Sequence, residues 1–244
     1  VVTGVQTCAL PIYVGDSTLL SISLIWAYAT TGGKPVSDHQ RAGLEEAISL
    51  ARESGDSWSL AHALNGIGDF LRESGDVQAA CDIYEQALGA FEKLEDRWLT
   101  AWTLEGLGRC LLETNAHEHA EYYIVHSIAL FLDMGDRENA TELIRVLSEN
   151  LQLRNEHRRA AFLAGAVAGL GGDLSPEGLE SKDIELKAPV ETLWKEHPDE
   201  WYRGKSMTLE AIIQEFLDTV RARSYHSPSP PLLELLPPGF GLGK

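Results

Sequence analysis

The feature that most constrains this chain is an internal repeat with a step of forty residues. One segment reads AHALNGIGDFLRESGDVQAACDIYEQALGAFEKLED from Ala61, and its counterpart reads AWTLEGLGRCLLETNAHEHAEYYIVHSIALFLDMGD from Ala101. In this register Ile67 falls on Leu107, Gly68 on Gly108, Leu71 on Leu111 and Ala80 on Ala120. Gly55-Asp56, Glu95-Asp96 and Gly135-Asp136 keep the same step. Extension in both directions gives four units, near 17–56, 57–96, 97–136 and 137–175, of which the outer two are degenerate. A period of this length is the mark of stacked supersecondary units, none of which buries its apolar face alone.

Each unit reads as two helices. Ala63, Leu64, Ile67 and Leu71 recur at helical spacing, as do Leu104, Leu107 and Leu111. A short polar break follows, ESGD at 73–76 or TNAH at 114–117, and Ala80, Ile83, Tyr84, Ala87 and Phe91 then carry the second helix. Proline is absent from 36 through 175, so nothing interrupts these helices. Gly68 and Gly108 are expected where the second helix crosses the first, with Tyr84 and Phe91 filling the space beside the crossing. Gly75 suits the left-handed backbone at which a helix ends. The fold class expected is all-α, a superhelix of helical hairpins with a concave face and a C-terminal helical extension.

The pattern Gly68, Leu71, Gly75, Ala80, Tyr84 and Ala87 resembles the tetratricopeptide repeat, and the resemblance covers roughly 17–175. It departs from that family in its longer unit and in lacking the proline that usually closes the second helix. The resemblance implies a module that binds a protein or peptide in its concave groove.

The C-terminal third carries a second resemblance. HRRAAFLAGAVAGLGG, from His157 to Gly172, reads as a small-residue helix ending in glycine, and a Ser/Gly/Asp/Pro-rich loop follows. Ser206 before LEAIIQEFL, with Glu210 behind it, reads as the cap of a final helix with apolar Leu209, Ile212, Ile213, Phe216 and Leu217. Arg159, Ala160, Ala161, Leu163, Gly165 and Ala166, then Trp201, Gly204, Met207, Leu209, Glu210, Ala211 and Ile212, resemble the helical region of bacterial multidomain regulators. In that family a signalling P-loop ATPase of the STAND type precedes the repeats, and some members carry a LuxR-type DNA-binding domain after them. The resemblance implies the sensor arm of a transcriptional regulator that binds a protein, a peptide or a small inducer. The alternative is a free-standing repeat scaffold. These matching residues are packing positions and carry no chemistry.

Composition narrows the function classes. Twenty Lys and Arg stand against 37 Asp and Glu, a formal charge of −17. Such a surface repels phosphates, so the segment is expected to bind neither nucleic acid nor an anionic membrane. No apolar run approaches the ~20 residues of a membrane span. Cys8, Cys81 and Cys110 show no metal-ligand or disulfide spacing, which fits a reducing cytoplasm. No GxxxxGK[ST] phosphate loop occurs in the sequence.

The ends read differently. Val2 to Ile12, VTGVQTCALPI, matches the in-frame translation of a short-read sequencing adapter, so 1–12 are expected to be an artefact and the chain a fragment. The domain map expected is 1–12 adapter-derived, 13–175 four helical hairpins, 176–223 a C-terminal helical cap, and 224–244 a Pro-rich disordered tail.

No catalytic constellation is arguable from spacing, so no enzyme activity and no cofactor are expected. His117-Glu118-His119 with Glu121 is read as a helix start rather than a metal site, because His119 points away from the face His117 shares with Glu121. The candidate partner-binding residues are the first-helix positions expected to face the groove: Asn65, Asp69 and Arg72, then Trp102, Glu105 and Arg109, then Arg145 and Glu149, with His62 and Leu112 in the same register. Arg72, Arg109 and Arg145 are expected either to form a basic ladder able to grip a carboxylate or to sit in ordinary exposed pairs, such as Glu105 with Arg109 at i,i+4. Trp102 is read either as a groove hot spot or as an aromatic packed between units.

Overall fold

The computed structural model of the chain describes residues 38–53, 55–169 and 192–224. The adapter-like start, the remainder of the first unit up to 37, the loop through 170–191 and the Pro-rich tail beyond 224 lie outside the described residues. Among the described residues every regular element is an α-helix. The chain divides into two compact units, Val1–Ala116 and His117–Lys244. The first holds α1 (Asp38–Glu53), α2 (Ser57–Glu73), α3 (Val77–Leu94) and α4 (Arg97–Glu113). The second holds α5 (His117–Asp133), α6 (Arg137–Leu153), α7 (His157–Gly169), α8 (Pro198–Ser206) and α9 (Leu209–Ser224), with a short helical stretch at 192–196 ahead of α8.

The forty-residue register is built from a backbone event every twenty residues. Gly55, Gly75, Glu95, Asn115, Gly135 and Asn155 all have positive φ, between 54° and 87°. A left-handed residue stops a helix, and Gly and Asn adopt that conformation at least cost. At 75, 115, 135 and 155 the stop is a Schellman motif: Gly75 N–H donates to the Arg72 carbonyl and Asp76 N–H to the Leu71 carbonyl, with the same pair of bonds at the other three. After alternate stops an aspartate caps the next helix. Asp56 accepts from the Trp58 and Ser59 N–H groups, Asp96 from Leu99 and Asp136 from Asn139, at 3.0–3.3 Å. Each such cap contributes about 1 kcal/mol. The helices between stops, α2 through α6, are 17 or 18 residues long.

In the first unit α2 and α3 form an antiparallel hairpin, α3 lies against α4, and α2 also touches α4. The wedge is Tyr84 of α3, fully buried. A Cβ placed on Gly68 would lie 2.7 Å from its ring, and one on Gly106 would collide with the same ring. The expectation at Gly68 holds. On α4 the same ring also meets Gly106. Ala61, Leu64, Ala87, Phe91 and Leu99 form the core of this unit, flanked by Ile48, Leu60, Ile83, Leu94 and Trp102.

In the second unit α5 packs on α6 and α9, and α6 packs on α7. Every residue of α5 from Ala120 to Leu132 is buried. The α7/α8 pair makes backbone-to-backbone contact: a Cβ on Gly165 would run into the Trp201 carbonyl, and one on Gly204 into the Phe162 carbonyl. Trp201, 1% exposed, fills the space beside that contact. Leu209, Ile212, Ile213, Phe216 and Leu217 of α9 are buried, as their spacing predicts. The cap of α9 is Thr208, whose hydroxyl accepts the Ala211 N–H at 3.3 Å. Ser206 instead closes α8, its hydroxyl donating to the Arg203 carbonyl at 2.8 Å. Proline at N1 of α8 starts a separate helix there, which moves the cap two residues on.

Candidate interaction face on the first helices

Positions 58, 62, 65, 69 and 72 alternate steps of four and three along α2, so they share one stripe. Positions 98, 102, 105, 109 and 112 do the same on α4. The two stripes lie on neighbouring helices of one unit. From Trp58 to Arg72 the stripe runs about 21 Å at ~1.5 Å per residue. Its two ends differ in chemistry.

The N-terminal end is aromatic. Trp58 is 40% exposed and Trp98 is 46% exposed. Trp58 and His62 rings lie 5.1 Å apart, His62 and Trp102 6.2 Å apart edge-on, and Trp102 and Trp98 5.2 Å apart. The Trp58 indole N–H donates to an Asp96 carboxylate oxygen at 3.1 Å, which ties the start of α2 to the cap of α4. Burial lowers the His62 pKa, opposed by the nearby Asp96 charge, so the imidazole is neutral at pH 7. Trp102 is half-buried and rests on the apolar core.

The C-terminal end is charged. Burial raises the Asp69 pKa to about 6, against the opposing effects of the Tyr84 hydrogen bond and the Arg72 charge. Tyr84 O–H donates to Asp69 at 2.5 Å. Arg72 reaches across to Glu113 at 3.2 Å, and Arg109 pairs with Glu105 at 2.9 Å. Asn65 is fully buried between the two ends, its side-chain oxygen accepting from the Thr103 hydroxyl at 2.9 Å, so it joins α2 to α4.

The remaining candidates, Arg145 and Glu149, lie on α6 in the second unit and are ion-paired with each other, with Glu142 on the other side of Arg145 at 2.6 Å. Arg72, Arg109 and Arg145 therefore each hold a carboxylate of the chain. A ladder of open cations is not what the geometry offers, because an acidic chain supplies its own counter-charges. Cys81 and Cys110 are both buried in the first unit, and burial raises both thiol pKa values, as befits packing residues. Among the described residues no group of three or more His, Cys, Asp or Glu is arranged to hold a metal ion. Nor is any helix among them long and apolar enough to cross a membrane.

Comparison with known proteins bears on this stretch. Residues 59–133 match the tetratricopeptide repeat family profile. The match takes in α2 from its third residue and all of α3, α4 and α5, so Trp58 lies just before it, and the fold of the repeat region is TPR-like. Repeats of this type serve in general as protein–protein interaction modules. No curated protein matches the chain.

Sequence reasoning stopped the stripe at His62 and Trp102. Trp58 and Trp98 lie four residues earlier in the same register, and that spacing was the signal that would have added them. Glu121, read from the sequence only as part of a helix start, is the centre of a buried ion-pair cluster. It is 1% exposed and salt-bridged to Arg154 at 2.7 Å and to Arg159, whose guanidiniums also hold Glu156. Glu121 stands forty residues after Cys81, an inward-facing slot, so the repeat register itself pointed to burial.

Proposed function

We propose that this chain is a non-catalytic binding module that takes a protein or peptide on the α2/α4 face, and that it is the sensor arm of a bacterial transcriptional regulator. The observation that carries the binding reading is the stripe itself: two helices of successive repeats present Trp102, Asp69, Arg72, Glu105 and Arg109 side by side, flanked by two exposed tryptophans. Exposed aromatics that stand beside fixed charges are typical anchors for a partner. The regulator reading is supported by the resemblance of 157–217, where Gly165 and Gly204 are the close-contact residues of α7 and α8. In such an arm, capture of a partner or small inducer in the cytoplasm would shift the state of an attached ATPase.

Two experiments test this. Peptides selected on the protein from a random display library should lose binding when Trp102→Ala and Arg109→Ala are combined, with the helical circular dichroism retained. Selected peptides indifferent to that pair would overturn the face assignment. Genomic DNA read across codon 13 should continue upstream into a P-loop ATPase. A start codon immediately before Tyr13 would instead make the protein a free-standing scaffold, and a genomic origin for VTGVQTCALPI would refute the adapter reading.

A further inference from the structure

We infer that the partner segment is cationic, an extended peptide whose Arg or Lys side chains stack on Trp58 and Trp98; this rests on the α2/α4 face being the binding surface. Three observations converge on that chemistry.

The first is the exposure of the aromatic end. Trp58 and Trp98 are the equivalent residues of two successive repeats, 40% and 46% exposed, on helices packed side by side. They are held in place from behind: Trp98 touches the half-buried Trp102, and Trp58 touches His62 and donates its N–H to Asp96. An indole face carries negative electrostatic potential and attracts guanidinium and ammonium groups, Trp more than any other side chain.

The second is the local charge. Along the face Asp69, Asp96, Glu105 and Glu113 stand against Arg72 and Arg109, a net negative surface within a chain whose formal charge is −17. Both arginines are already held by glutamates and Asp69 is held inward by the Tyr84 hydroxyl, so the carboxylate nearest the exposed tryptophans is Asp96. Asp96 lies at the edge of the Trp58 indole, where it favours a cation over a neutral group on the ring.

The third is the length. A face of about 21 Å seats an extended segment of about six residues at ~3.3 Å each. The two exposed indoles, one on each helix, offer two seats, so the geometry suits a segment with two cations rather than a single charged terminus.

The test uses the full chain and three fluorescein-labelled dodecapeptides: Gly-Arg-Leu repeated four times, the same peptide with every Arg replaced by Gln, and the same with every Arg replaced by Glu. Fluorescence anisotropy gives affinity, and tryptophan emission of the protein reports contact. The Arg peptide should bind and quench emission, the Gln peptide should bind at least about tenfold more weakly, and the Glu peptide should not bind. Trp58→Ala with Trp98→Ala, which leaves the charge of the protein unchanged, should weaken the Arg peptide about tenfold. Trp58→Phe with Trp98→Phe should recover most of that loss and excludes misfolding as its cause. Equal affinity of the Arg peptide for the wild type and the double Ala variant would reduce the interaction to diffuse charge and overturn the inference. An acidic or neutral peptide that binds tightly and is lost in the Trp102→Ala, Arg109→Ala protein would overturn the cation assignment while leaving the face intact. Failure of every selected peptide to respond to that pair removes the face reading as well.

Discussion

The two units solve the same packing problem by different means. In the first, close approach is made by a side chain on bare backbone: the Tyr84 ring sits where Gly68 and Gly106 have no Cβ. In the second, it is backbone on backbone, with Gly165 and Gly204 each lying against the other helix's carbonyl. Their polar groups differ in the same sense. The first unit turns its charges and two tryptophans outward along α2 and α4. The second draws a carboxylate inside, Glu121, and closes it with Arg154 and Arg159. It also covers its aromatic pair: Phe162 and Phe216 stack at 6.4 Å, with Arg203 over one ring and Arg159 over the other. A cleft of about 210 Å³ there is bordered by arginines that Glu200 and Glu215 already engage. The lesson is that the same helical register can leave its ion pairs at the surface or draw one into the core, depending on whether the slot that carries the acid faces inward.

The sharpest way to break that contrast is Glu121→Ala. It leaves two guanidiniums without their buried counter-charge and should cost about 4 kcal/mol. Thermal denaturation gives the size. Hydrogen exchange should show α5, α6 and α7 losing protection while α2 to α4 keep theirs, and equal loss throughout would deny that the units differ in this respect. Gly204→Ala comes next, at about 3 kcal/mol, because backbone cannot move aside as a side chain can. Gly68→Ala should cost less, about 2 kcal/mol, since the ring it meets can tilt. A larger loss at Gly68 than at Gly204 would reverse the ranking of the two contacts.

A smaller effect is pH-dependent. The folded-state pKa of Asp69 is raised to about 6 from an ordinary 3.8. The stabilisation from holding that proton is complete below the unfolded value and is lost as pH rises through about 6. Asp69→Asn keeps an acceptor for Tyr84 and removes the titration. Its melting temperature relative to wild type should therefore be higher at pH 7.5 than at pH 4.5. His62 works in the opposite direction, its lowered pKa withdrawing stability as pH falls through its ordinary 6.5. The difference between Asp69→Asn and wild type isolates the carboxylate. The smallest effect on stability is expected for Trp58→Ala with Trp98→Ala, under ~1 kcal/mol for exposed positions, even though binding should fall about tenfold.

The helices were legible because their stops are chemical. Gly55, Gly75 and Gly135 mark left-handed positions that few residues adopt, and Asp56, Asp96 and Asp136 follow alternate stops. The hairpin limits at 57, 97 and 137 follow directly. The contacts between helices were less so. Gly106 was not singled out, because the repeat pattern describes the crossing inside each hairpin and not the contact that Tyr84 makes with the first helix of the next repeat. Nor did it say that Asn65 would turn inward to Thr103 rather than outward, since both faces of a stripe look alike until the neighbouring helix is in place. The cap of α9 was misplaced because Ser206 and Thr208 are both hydroxyls ahead of an apolar run. Only the separate helix α8 decides between them.

The evenly spaced left-handed residues have a consequence for how such a chain tolerates editing. Within each unit a stop turns the chain back, so neighbouring helices alternate in direction: α1 to α4 at Gly55, Gly75 and Glu95 in the first, and α5 to α7 at Gly135 and Asn155 in the second. Excision or duplication of forty residues beginning at an Asp cap returns the chain to the same direction, and the next helix meets its neighbours with the right face. Twenty residues, although it lands on an equally good stop, puts the following helix antiparallel to its proper course and presents its outer stripe to the core. Whole steps are thus tolerated better than half steps, a grammar written in left-handed backbone angles and the aspartate caps that follow alternate ones.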